Sequence, residues 1–153
     1  MERIASFSVD HRRIGKGLFI SRIDGDVVTY DMRMCVPNAG SYLQNAPLHT
    51  FEHLLATYVR NSSFGSQIVY AGPMGCRTGF YLLVRDRMSH ADALGLLKEA
   101  MAFIAGFSGP IPGASEPECG NWRDHELEGA KAYAADYLSV LEGWTVERMV
   151  YPQ

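Results

Sequence analysis

Two pairs of strand-like runs most constrain what this 153-residue chain can fold into. The first pair, GLFISRI and VVTYDMRM, flanks the turn Asp24-Gly25-Asp26, and an Asp-Gly turn between such runs is a hairpin signal. The second pair, QIVYAG and TGFYLLVRD, flanks a segment around Gly75 and Cys76. Hairpins of this kind predict a mainly antiparallel sheet.

Three other stretches carry apolar residues at spacings of three and four, as amphipathic helices do. Ser89 and Asp92 form a candidate capping box at the start of the second stretch. The predicted helices span about 48–61, from Ser89 to Gly106, and from near Asp124 to Gly143. Hairpins interrupted by helices predict an α+β fold, with a four- to five-stranded sheet packed against helices in a single domain over residues 1–153.

Composition and charge exclude several classes of function. The residues are 47% hydrophobic and 20% charged, which is typical of soluble globular proteins. A net charge of -3 without any basic block argues against nucleic acid as a partner. No apolar run approaches the length of a membrane span, and the charged N-terminal segment does not resemble an export signal, so we expect a cytoplasmic protein. Three cysteines without an export signal give no support for a disulfide framework.

The sequence HTFEH at 49–53 lies within the first predicted helix. His49 and His53 are one turn apart on the same face, so their imidazoles can converge on one metal ion. Glu52 lies beside the second histidine, where it can handle protons without binding the metal. The alternative is a pair of unrelated histidines on a partly buried helix. The spacing favours the metal site.

A catalytic metal takes three protein ligands and keeps one position open. Cys119, in ECGN before the last predicted helix, would complete a His₂Cys set suited to zinc or ferrous iron. His125 and Glu116 are competing candidates, and the residues alone do not decide among the three.

Cys76 lies between glycines and next to Arg77, whose guanidinium could favour the thiolate. A thiolate at neutral pH can act as a base or a nucleophile. The alternative is a small core residue, which is the commoner role of a free cysteine. Cys35, within a strand-like run, is interpreted as a core residue.

Five motifs occur in order along nearly the whole chain. They read SFSVDH at 6–11, DMR and PN between 31 and 38, HTFEHLLA at 49–56, PMGCRTGFY at 73–81 and ECGN at 118–121. In this order they resemble the S-ribosylhomocysteine lyase (LuxS) family.

The resemblance implies a role for each motif. The implied metal is Fe²⁺, often replaced by Zn²⁺ on isolation, and the implied substrate is S-ribosylhomocysteine, cleaved to homocysteine and dihydroxypentanedione, the precursor of autoinducer-2. It also implies a homodimer with two active sites at the subunit interface. The implied residues are His49, His53 and Cys119 as metal ligands, Glu52 and Cys76 as the proton-transfer pair, and Ser6, His11 and Arg33 in the substrate pocket. An arginine is suited to holding a carboxylate.

From the residues alone, Ser6 and His11 would instead belong to a polar strand at the sheet edge. The chain departs from the family pattern just before Met74-Gly75-Cys76. Where the family usually reads Asp-x-Ser-Pro, this chain has Tyr70-Ala71-Gly72-Pro73, which removes a carboxylate and a hydroxyl. Two other functions remain open: an inverse-zincin peptidase, and a metal-binding relative without catalysis.

Overall fold

Two hairpins form one antiparallel sheet with the strand order β1-β2-β4-β3. The computed structural model describes all residues from Met1 to Gln153. Its strands are β1 (Gly17–Asp24), β2 (Val27–Arg33), β3 (Ile68–Pro73) and β4 (Gly79–Arg85), and its helices are α1 (Asn45–Asn61), α2 (His90–Ala105) and α3 (Leu127–Glu142). The predicted α+β fold is confirmed. None of the helices combines the length and apolarity needed to cross a membrane.

The predicted helix boundaries are correct for α2 and shifted for α1 and α3. The Ser89 capping box is present and Gly106 ends α2, as predicted. Helix α1 begins three residues earlier than predicted, with Pro47 in its first turn. Proline is tolerated there because the first N–H groups of a helix have no partner within the helix.

Helix α3 begins at Leu127 and not near Asp124, so the prediction was wrong by about a turn. Glu126 is its N-cap, and the Glu126 carboxylate accepts a hydrogen bond from the N–H of Gly129. The preceding residues, Asp124 and His125, bind side chains of α1. These contacts replace the first turn that the apolar spacing predicted.

The helices cover one face of the sheet. Tyr30 and Met32 of β2 are fully buried in the core that the strands share with all three helices. Because side chains alternate along a strand, Asp31 and Arg33 point to the opposite face. Tyr151, near the C-terminus, also reaches that face, where its hydroxyl donates to Asp31 at 2.6 Å.

Asp31 and Arg33 form a buried ion pair on the face without helices. Their side chains are 0% and 4% exposed, and Nη2 of Arg33 lies 2.6 Å from Oδ2 of Asp31. Nε of Arg33 donates to the second carboxylate oxygen at 3.1 Å, so the contact is bidentate. Burial lowers the pKa of Arg33, but the hydrogen bonds and charge of Asp31 more than offset this and leave the pKa above its usual value.

Replacing Asp31 should be far more destabilising than replacing the aspartate of an exposed pair. Asp31→Asn leaves the buried guanidinium without a counter-charge, and we expect the free energy of unfolding to fall by about 3 kcal/mol. Arg22 and Asp24 lie equally close, at 2.6 Å, but both are about half exposed. Asp24→Asn should therefore change little. Urea unfolding checks both variants, and equal effects would contradict the role of burial.

Candidate metal centre and active site

Helix α1 and the loop at 106–126 bring four potential metal ligands together. His49, His53, Cys119 and His125 each contribute one ligand atom to a group in which all four atoms lie within 4.8 Å of one another. Sγ of Cys119 is 3.4 Å from Nε2 of His49. All four residues are half-buried. Imidazole nitrogen and thiolate sulfur are the ligands that zinc and ferrous iron accept, so the donors fit the implied metal.

Backbone carbonyls of the loop orient the two helix histidines. Nδ1 of His49 donates to the carbonyl of Asp124, and Nδ1 of His53 donates to the carbonyl of Pro112, each at 2.7 Å. A carbonyl only accepts, so each Nδ1 carries the proton and each Nε2 keeps a lone pair for the metal. Gly113 permits this approach, because it has φ +70° and a Cβ there would crowd the His53 ring.

Of the three candidates for a further ligand, the structure brings Cys119 and His125 into the group and leaves Glu116 outside it. His125 differs from the other histidines because its Nε2 is buried without a hydrogen-bond partner. Burial, together with the charges of His49 and His53, lowers the pKa of His125 to about 4.

Glu52 lies beside the metal group but is not a member of it. It is half-buried and lines a shallow cavity together with His53, Pro112 and Gly113. Its position next to the metal group is as expected from the sequence, and its role in proton transfer stays a prediction.

Cys76 lies in the turn between β3 and β4 and is exposed, so the alternative of a core residue is wrong. Its Sγ is 3.1 Å from Oγ1 of Thr78, and Nη1 of Arg33 donates to the same oxygen at 2.7 Å. A guanidinium only donates, so the Thr78 hydroxyl can accept from Arg33 and donate its own hydrogen to the sulfur. This arrangement links the sulfur to the buried guanidinium through one hydroxyl.

The sequence pointed to Arg77 as the cation near Cys76, and the structure corrects this. Arg77 has φ 59°, and its Nη1 donates to the carbonyl of Leu43 at 3.1 Å. The guanidinium linked to Cys76 is that of Arg33, through Thr78. No sequence signal singles out Thr78, because a threonine two residues after a cysteine is unremarkable in a turn.

The three predicted substrate-binding residues occupy different environments. Ser6 belongs to a short 3₁₀ helix, Ala5–Phe7, so the alternative of an edge strand is wrong. His11 follows in a turn, with Nδ1 2.9 Å from the carbonyl of Val9. Arg33 is buried, and Asp31 already occupies its bidentate edge. The substrate-binding role of Arg33 stays a prediction.

The departure at Tyr70 and Gly72 has a structural explanation. Both residues lie on the edge strand β3, and Tyr70 is 52% exposed. A Cβ at Gly72 would overlap the Tyr70 hydroxyl, so the phenol lies where a side chain at position 72 would begin. The glycine makes room for the tyrosine, and a hydroxyl is still present at this place.

Within one chain the metal group and Cys76 are not brought together. Cys76 is linked to Arg33 on the face without helices, whereas His49 and His53 belong to the helix layer. None of the five principal cavities is lined by both Cys76 and a member of the metal group.

The fold and the site together define a class of protein, which is a small α+β domain with a histidine–cysteine metal centre on its first helix. A model of the S-ribosylhomocysteinase (LuxS) family matches residues 4–148, and the chain belongs to this family. The family membership confirms the prediction of a carbon–sulfur lyase.

Several curated relatives are similar over nearly their full length. The S-ribosylhomocysteine lyase of Borrelia garinii subsp. bavariensis is 42% identical, with 99% of this chain and 100% of that protein covered. The S-ribosylhomocysteine lyase of Clostridium acetobutylicum is 42% identical, with both chains covered completely. That of Phocaeicola vulgatus is 45% identical, with 99% and 98% covered.

Removing the thiol of Cys119 should weaken metal binding. Loss of one ligand from the group should lower the affinity for Zn²⁺ or Fe²⁺ at least about tenfold. Cys35 is a half-buried free cysteine outside the group and provides a matched control. Cys119→Ser and Cys35→Ser can be compared by metal titration against a chelating indicator under anaerobic conditions. Wild-type affinity in Cys119→Ser would show that this cysteine is not a ligand.

Proposed function

We propose that this protein is an S-ribosylhomocysteine lyase that cleaves the thioether to homocysteine and dihydroxypentanedione, the precursor of autoinducer-2. The observation that carries the proposal is the group of His49, His53 and Cys119, built on the HTFEH helix in a chain of the LuxS family. We further propose Fe²⁺ as the native metal, with Zn²⁺ able to replace it. A His₂Cys donor set suits both ions.

A thioether sulfur leaves only when a carbanion develops at the carbon next to the one that carries it. The sugar carbonyl must therefore migrate along the chain by successive proton shifts through enediols. The bound divalent ion supplies a Lewis acid that stabilises negative charge on the sugar oxygens. What the chain itself must supply is a pair of groups that take and return protons.

Cys76 and Glu52 are the proposed proton-transfer pair. Sγ of Cys76, held by the hydroxyl of Thr78, takes a proton from one sugar carbon, and the carboxylate of Glu52 exchanges protons with the neighbouring carbon or oxygen. In the last step a proton leaves the carbon next to the carbonyl, and its electron pair forms a C=C bond. This bond reaches the carbon that carries sulfur, so the C–S bond breaks as it forms, and homocysteine leaves as a thiolate that gains a proton. The sequence of steps consumes no oxidant or reductant.

Two copies of the chain are proposed to complete each site. Glu52 and the metal group belong to the helix layer, whereas Cys76 is linked to the opposite sheet face. Cys76 is exposed and so available to a partner. The apolar side chains of Ile4 and Phe7, which flank Ser6 in the sequence, are 54% and 64% exposed. Covering them with a second copy would also bring Ser6 and His11 to a shared pocket.

Turnover can be measured as homocysteine released from S-ribosylhomocysteine, detected with a thiol reagent after removal of the protein. Cys76→Ala should lower kcat at least about 100-fold because a proton-transfer group is lost. Its metal content should remain that of the wild type, since Cys76 is not in the metal group. Cys35→Ser again serves as the control.

The alternatives give different results in the same assay. A peptidase would cleave peptides and release no homocysteine, and a non-catalytic metal-binding relative would be indifferent to Cys76→Ala. Either result would refute the proposed lyase.

Mixing two inactive variants tests the shared site. Consider a dimer of one Cys76→Ala chain and one His53→Ala chain, in which each site takes Cys76 from one chain and His53 from the other. One site then has both residues intact, and the other site carries both substitutions. Random pairing puts half of the chains in such mixed dimers, so about a quarter of wild-type activity should return. If each site lies within one chain, every site carries one substitution and the co-expressed mixture stays as inactive as its parents. Sedimentation of the same sample reports the oligomeric state.

A further inference from the structure

His125 is the member of the metal group whose role the lyase chemistry leaves unexplained. It is adjacent to both helix histidines, at ring-centroid distances of 3.9 Å from His49 and 4.7 Å from His53. Its Nδ1 is 2.9 Å from Oγ1 of Thr50, and its Nε2 is buried without a partner. Since Nδ1 is hydrogen-bonded to Thr50, Nε2 is the ring nitrogen that remains available for an interaction within the site.

Thr50 determines which nitrogen of His125 carries the proton. The Thr50 side chain is fully buried, and its Oγ1 has two partners, which are the N–H of Glu126 at 2.9 Å and Nδ1 of His125. The backbone N–H can only donate, so Oγ1 accepts from Glu126. The hydroxyl hydrogen then has one available acceptor, Nδ1 of His125. An imidazole nitrogen that accepts a hydrogen bond has a lone pair and no proton, so the proton of the ring lies on Nε2.

This tautomer is opposite to that of His49 and His53. Their Nδ1 atoms donate to carbonyl oxygens, which leaves the Nε2 lone pairs for a metal. A nitrogen that carries a proton has no lone pair to offer. His125 therefore cannot bind the ion in the same way.

The ring planes lead independently to the same conclusion. An imidazole binds a metal in the plane of its ring, so all ligating rings must have planes that meet at the ion. The planes of His49 and His53 are 89° apart and cross close to the rings. Those of His49 and His125 are stacked at 3.9 Å and only 19° from parallel. Planes so arranged do not meet near the rings, so an ion in the plane of His49 lies outside the plane of His125.

We propose that His125 is not a metal ligand but a hydrogen-bond donor, whose Nε2–H is fixed by Thr50 inside the metal group and stabilises negative charge on a sugar oxygen bound at the open position of that group. The identity of the acceptor rests on the proposed lyase function, whereas the tautomer does not. A fixed donor aimed at an oxygen that gains charge typically contributes about 100-fold to 1000-fold in kcat.

The tautomer can be measured without any turnover. In zinc-loaded protein labelled with ¹⁵N-histidine, nitrogen chemical shifts and N–H couplings report which ring nitrogen of each histidine is protonated. We expect His49 and His53 to be protonated at Nδ1 and His125 at Nε2. A proton on Nδ1 of His125, or a metal-bound Nε2, would overturn the proposal.

Two variants test the role of the donor. His125→Leu should keep its zinc affinity within about twofold and lose about 100-fold in kcat. His125→Gln places an amide N–H near the position of Nε2 and should recover at least tenfold of that loss. Loss of metal from both variants would identify His125 as a ligand and contradict the proposal. Unchanged kcat in the metal-loaded leucine variant would show that His125 only packs against its neighbours. If wild-type protein released no homocysteine, the lyase proposal would fail while the NMR result still decided the tautomer.

Discussion

The metal group depends on two hydrogen bonds that tie helix α1 to the long loop before α3. His49 and His53 donate from Nδ1 to the carbonyls of Asp124 and Pro112. Each bond fixes both the rotation of an imidazole and the nitrogen that keeps its lone pair. The same loop carries Cys119, so the bonds that orient two ligands also hold the segment that presents the third. A metal added to this group would cross-link a helix and a loop that already contact each other through their polar groups.

Cys76 is linked to the sheet face opposite the helices that carry this group. On the face without helices, the buried carboxylate of Asp31 holds Arg33 in place, and Arg33 bonds Thr78 beside the thiol of Cys76. The buried guanidinium is thereby linked to the Cys76 sulfur through the Thr78 hydroxyl. The cost of burying the guanidinium is met by Asp31 and not by the substrate. This separation is the structural basis for the proposal that two copies of the chain complete each site.

The sequence predicted the architecture well because the signals for the helices and hairpins lie in short stretches of sequence. The Asp-Gly turn, the Ser89 capping box and the one-turn spacing of His49 and His53 are all signals within a few residues. The errors concern contacts between distant residues. Helix α3 starts late because Thr50, far away in the sequence, accepts the N–H of Glu126. Arg77 was a wrong partner for Cys76 because the sequence shows neighbours along the chain and not across the sheet.

At Tyr70 and Gly72 the sequence differs from the family pattern, yet a hydroxyl group lies at position 72 of the fold. In the sequence alone, the segment lacks the hydroxyl that the family pattern has at position 72. In the fold, the Tyr70 side chain runs along the edge strand, and its phenol lies over the glycine, at the point from which a longer residue 72 would extend. With Tyr70 in this conformation a Cβ at residue 72 would overlap the phenol, so the position of the tyrosine depends on the glycine. The phenol of the residue two positions upstream therefore places a hydroxyl where the side chain of residue 72 would begin, whereas nothing replaces the carboxylate of the family pattern.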